Sequence, residues 1–124
     1  MIGAAELEAI EGLWKEGLEE AYEAYRPATQ KLAGNDRDRV ALAAALVEVA
    51  LHLQRLGGRA APAPDLLRGD LCLARASRLL ADTRNQELQV AFARAIEELA
   101  ATAAEERKPE PARERLLRAI EGVR

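Results

Sequence analysis

A single histidine, a single cysteine and a single serine bound the catalysis this sequence could attempt: His52, Cys72 and Ser77. A serine nucleophile needs a histidine base and an acid to orient it. Ser77 lies inside a helical pattern without such a set, and it reads as an ordinary helix residue. A thiol nucleophile would want a histidine beside it, and Cys72, between Leu71 and Leu73, reads instead as a small buried apolar residue. His52 sits between Leu51 and Leu53, and its nearest tuning partner in sequence is Glu48, one helical turn earlier. A lone histidine on a largely apolar helix reads as a hydrogen-bonded core or boundary residue.

Metal and phosphate chemistry find little support. Transition-metal sites recruit histidine or cysteine, and bundle carboxylate sites use Glu-x-x-His elements, none of which is present. The neighbouring carboxylates Glu19-Glu20, Glu97-Glu98 and Glu105-Glu106 point about 100° apart on a helix, so they read as solvated faces. Neither Gly-x-x-x-x-Gly-Lys nor Gly-x-Gly-x-x-Gly occurs, and Gly57-Gly58-Arg59 reads as a helix C-cap followed by a polar loop. No catalytic, cofactor-binding or metal-ligating residue is therefore assigned.

The elements that would position any site are helices. Ala, Leu, Glu and Arg dominate, and aromatics make up only 3% of the 124 residues, which excludes an all-β fold. A first helix is expected over about 4–25, with Leu7, Ile10, Trp14, Leu18, Ala21 and Tyr25 on one stripe and Pro27 ending it. A second begins at a cap on Asn35 or Asp36 and runs to about Leu56, apolar nearly all round from Val40 to Leu51 except at Glu48. Such a helix is either central in a bundle or shared with a partner, and in so short a chain the second is expected. After a loop over 57–64, Asp65 is expected to cap a third helix to about Ala81. Leu67, Leu71, Ala74 and Leu79-Leu80 would face inward. Asp82 to Asn85 make a tight link to a fourth helix over about 86–107, with Leu88, Phe92, Ala95, Ile96, Leu99 and Ala103 inward. Pro109 and Pro111 precede a last helix to about Glu121, with Leu116, Leu117 and Ile120 inward. The expected architecture is all-α, a compact bundle of about five helices forming one domain over 1–124.

A charge of −3 argues against a nucleic-acid surface, and the dense stretch Arg113, Glu114, Arg115, Arg118 reads as a solvated helix face. One cysteine implies no internal disulfide. The apolar run over 40–51 is too short to span a bilayer, which takes about 20 residues, and no signal peptide is visible, so a cytoplasmic location is expected.

One stretch is more specific. Leu66-Leu67-Arg68-Gly69-Asp70-Leu71-Cys72-Leu73-Ala74-Arg75-Ala76 resembles the Gly-Asp helix of the trans-isoprenyl diphosphate synthases. The helix with Glu48 and His52 is loosely similar to that family's Glu-x-x-His helix, one residue longer in spacing, and the resemblance covers about 40–106. The family's aspartate-rich motifs have no counterpart between His52 and Gly69 or beyond Ala104. A short chain of this kind looks most like the small, non-catalytic component of two-component long-chain prenyl diphosphate synthases. That implies an isoprenoid-synthase-like helical fragment that pairs with a catalytic subunit, with Gly69 and Asp70 as the family-like motif. Contact residues expected on this reading are Leu46, Leu53, Leu71 and Ala74. The competing expectations are a self-associating homodimer unrelated to isoprenoids, or a degenerate prenyl-chain binder.

Overall fold

The computed structural model describes residues 12–54, 63–104 and 111–123. A π turn at Trp14–Leu18 runs into α1 (Glu19–Tyr25), and a 3-10 turn at Arg26–Thr29 follows. Then come α2 (Gly34–Leu53), α3 (Ala63–Asp82), α4 (Gln86–Ala104) and α5 (Ala112–Glu121), so the described residues hold five α-helices and no strand. The all-α bundle expected from composition is the fold found.

The first helical segment carries an irregularity that periodicity does not show. Gly17 stands at φ 135°, a backbone conformation that side chains with a Cβ rarely adopt, and the Glu19 N–H bonds back five residues to the Trp14 carbonyl. One extra residue per turn slips the helix phase. Leu13 is therefore buried with Leu18, Ala21 and Tyr25, while Trp14 moves to the boundary, where its ring meets Tyr22 at 5.7 Å. Leu7 and Ile10 lie outside the described residues. Pro27 does end the α-helix, by tightening the chain into the 3-10 turn.

Helix α2 is the centre of the bundle. Val40, Ala41, Ala43 to Val47 and Ala50 are almost wholly inaccessible, because small alanines let neighbouring helices approach on every side. The premise that α2 depends on a partner for burial is corrected to this extent: the chain itself buries most of the helix, with Leu42, Val49 and Leu53 left half-buried. Its start also differs. Gly34 opens the helix after an extended Ala33 that makes no side-chain cap, and Asp36 sits in the first turn paired with Arg39 at 3.3 Å.

Helix α3 starts earlier than expected, at Ala63, with Pro64 and Asp65 in its first turn, where a missing N–H costs nothing. Its buried face is Gly69, Cys72, Ala76, Leu79 and Leu80. Leu67 and Ala74, expected inward, are exposed, and Leu71 is half-buried. The link into α4 is built as the residue types require, with Asn85 Oδ1 accepting the Leu88 N–H at 3.0 Å. Leu88, Phe92, Ala95 and Leu99 of α4 and Leu116, Ala119 and Ile120 of α5 complete the core. Lys31 holds the far end of α5 by donating to the carbonyls of Glu121 and Val123. The loop over 57–62, Glu105-Glu106-Arg107 and Pro109 fall outside the described residues, as does the Ala103 side chain. No described helix is long and apolar enough to cross a membrane.

Candidate functional site

A carboxylate inside an apolar helix must find compensation, because an unpaired buried charge costs several kcal/mol. Glu48 is that residue, 7% exposed in the middle of α2. Tyr25 of α1 donates its hydroxyl to Glu48 Oε1 at 2.9 Å. Arg113, in the first turn of α5, donates from Nε to Oε1 at 2.8 Å and from Nη2 to Oε2 at 2.9 Å. The same guanidinium reaches Glu20 of α1 from Nη1 at 2.9 Å and Nη2 at 2.7 Å. One arginine therefore ties three helices together through two forked ion pairs.

This cluster forms one wall of a cleft of about 480 Å³. Leu13, Val49 and Leu53 supply its apolar lining, and Glu16, Asp65, His52 and Gly17 stand around it. Arg68 pairs with Glu16 at 2.8 Å, drawing α3 towards the π turn. The electrostatics follow the geometry. The Arg113 hydrogen bonds hold the Glu20 carboxyl below its ordinary range, and Glu20 and Glu48 together push the Arg113 guanidinium up. Burial pushes the Tyr25 hydroxyl up, and the adjacent Glu48 charge adds to it.

The arrangement binds helices together and offers no free acid–base pair. His52 is one turn beyond Glu48 but exposed, while the Glu48 carboxylate is directed to Tyr25 and Arg113. Among the described residues no three His, Cys, Asp or Glu side chains converge to hold a metal ion. Cys72 is fully buried, and burial pushes its thiol up to about 11, only partly offset by the positive Arg68. Ser77 borders a separate hollow lined by Leu80, Gln89, Phe92, Ala93 and Ile96, none of which is an acid or a base.

The expected contact residues are scattered by depth. Leu46 has no exposed surface and is a core residue, with nothing left to offer a partner unless the bundle opens. Leu53 is half-buried beside the cleft. Leu71 and Ala74 lie on the outward side of α3, on one stripe with Leu67, which is 62% exposed, and Leu66 beside them is 42% exposed. The Gly69-Asp70 pair makes the clasp between α3 and the end of α2. A Cβ at Gly69 would come within 2.7 Å of Gln54 Cγ, and Gln54 Nε2 donates to Asp70 Oδ1 at 3.0 Å. Arg113 is what sequence reasoning missed. The available signal was Glu48, the one charge interrupting the run over 40–51, which demanded a buried cation from elsewhere.

Comparisons with protein-family models, with curated proteins and with solved structures found no match for this chain.

Proposed function

We propose that the protein is a non-catalytic interaction subunit of the kind represented by the small component of a long-chain prenyl diphosphate synthase, acting in the cytoplasm. It would dock a catalytic subunit through the outer stripe of α3. The observation that carries this reading is that stripe: Leu67, Leu71 and Ala74 recur at helical spacing on the side of α3 turned away from α2, with Leu67 62% exposed. Two neighbouring leucines in solvent, Leu66 at 42% and Leu67 at 62% exposed, beside the half-buried Leu71 support a helix face that awaits a partner. The resemblance of residues 66–76 to the Gly-Asp helix names the partner class. Leu46 of α2 is wholly buried and Leu53 half-buried, so the proposed interface centres on α3.

A second reading, self-pairing of α3, has one observation in its favour. Asp70 and Arg75 flank the stripe on opposite sides, five residues apart, the spacing that places opposite charges across two parallel helices.

The test is capture from native lysate with tagged wild type beside Leu67→Asp. A larger prenyltransferase carrying Asp-Asp-x-x-Asp, recovered with wild type and lost with Leu67→Asp, is the expected result. Recovery of the chain alone would overturn the heteromeric reading and leave self-pairing.

A further inference from the structure

The arginines of the bundle divide by whether the chain itself supplies their partner. Arg39 pairs with Asp36 at 3.3 Å, Arg68 with Glu16 at 2.8 Å, and Arg113 with Glu20 and Glu48. Arg115, which lines the groove between α4 and α5, is held by Glu98 at 2.6 Å. Arg75 and Arg78 of α3 differ: neither makes an ion pair or a hydrogen bond to another side chain among the described residues. Asp82, one turn beyond Arg78, forms no ion pair with it.

Both cations belong to the outer face of α3. The stripe of Leu67, Leu71 and Ala74, continued at the same spacing, reaches Arg78, and Arg75 lies one turn after Leu71. Arg78 is exposed and Arg75 half-buried. The face runs about 16 Å along the helix, apolar at Leu67 and Leu71 and cationic at Arg75 and Arg78. The two arginines are one turn apart, with their Cβ atoms separated by about 5–6 Å.

Charge decides which occupant fits. A second copy of the chain laid parallel would set Arg78 opposite Arg78. Laid antiparallel, it would bring the two Arg75 edges together, and like charges disfavour both arrangements. An anionic bilayer would meet Asp70 and Asp82 beside the arginines, on a chain whose net charge is −3. A helix bearing carboxylates meets neither obstacle.

Resting on the docking reading above, we propose that this face takes one acidic amphipathic helix of the partner. Its apolar side chains lie against Leu67 and Leu71, and two carboxylates about one turn apart meet Arg75 and Arg78. The leucines hold the helix, and the arginines select which helix is held.

The probes are two synthetic amphipathic helical peptides of about 18 residues with the same leucine stripe. One carries glutamates beside the stripe and the other lysines at the same positions, and binding is read by fluorescence anisotropy of the labelled peptide. The acidic peptide should bind saturably, one to one, and about tenfold more tightly than its lysine twin, with the gap narrowing as salt rises. Arg75→Glu with Arg78→Glu should invert the preference, and Leu67→Asp should weaken both peptides. The three positions lie outside the core, neither arginine has a partner to lose, and circular dichroism will verify that the variants fold. Equal binding of the two peptides, with Leu67→Asp still weakening both, overturns the acidic helix and leaves the docking stripe standing. A preference unchanged by the charge reversal overturns it as well. No binding of either peptide also overturns it, and lysate capture indifferent to Leu67→Asp removes the docking reading itself. Association with phosphatidylserine vesicles, without binding of the acidic peptide, assigns the face to a membrane instead.

Discussion

The Glu48 cleft and the α4–α5 groove use the same side chains with opposite outcomes. In the cleft one arginine stands between two carboxylates, and beside the groove the Glu98 carboxylate stands among three arginines. Burial separates them. Glu48 is 7% exposed and its oxygens are met by Tyr25 and Arg113, whereas the Glu98 side chain is 61% exposed. A buried charge cannot fall back on water, so its partners become part of the fold. An exposed one keeps water as an alternative partner, so its ion pairs add little to the fold.

The sharpest way to break this contrast is Arg113→Met. Removing the guanidinium leaves Glu48 uncompensated inside the bundle, and a loss of about 3–5 kcal/mol is expected, read from urea denaturation. A loss below about 1 kcal/mol would mean that water reaches Glu48 and that the cleft resembles the groove.

Alkaline pH gives the next effect. The Cys72 thiol is pushed up by burial to about 11 from 9.0, so its contribution is complete below pH 9 and lost as pH rises through 11. That rise corresponds to about 3 kcal/mol. Tyr25, raised above 10.0 by burial and by Glu48, extends the loss to still higher pH. Denaturation midpoints across this range should fall steeply in wild type. In Cys72→Ala the slope between pH 9 and 11 should flatten, whatever the variant's starting stability.

Tyr25→Phe removes one donor from Glu48 and leaves the arginine fork, so about 2 kcal/mol is expected from the same denaturation measurement. Glu98→Gln, the matching change in the groove, should leave the denaturation midpoint nearly unchanged, because an exposed ion pair contributes little. A thermal shift as large as that of Tyr25→Phe would show that Glu98 is structural after all.

Much of the bundle is legible in the sequence because it depends on local signals. Pro27 ends a helix, Asn85 caps one, and the stripe of Leu88, Phe92, Ala95 and Leu99 turns inward as its spacing requires. The interior of α3 is less legible because that helix carries two stripes of similar spacing. Leu67, Leu71 and Ala74 are the more apolar, yet Gly69, Cys72 and Ala76 face inward, since small residues let α3 close against Gln54 and the end of α2. Periodicity establishes that a helix has faces, and packing chooses between them. The phase slip at Gly17 escapes for a related reason: a π turn is one inserted residue in an otherwise helical pattern. The Arg113 clasp joins residues 65 and 93 positions apart, and no window along the chain contains both ends.

The outer stripe of α3 is the centre of the functional reading, and sedimentation velocity of the purified chain addresses it most directly. Wild type and Leu67→Asp would be run alone and mixed with a catalytic prenyl diphosphate synthase subunit recovered by capture. The account predicts a monomer for both chains alone, and a heteromeric species for wild type that Leu67→Asp fails to form. Wild type sedimenting as a dimer on its own, or Leu67→Asp binding the synthase as well as wild type does, would contradict it.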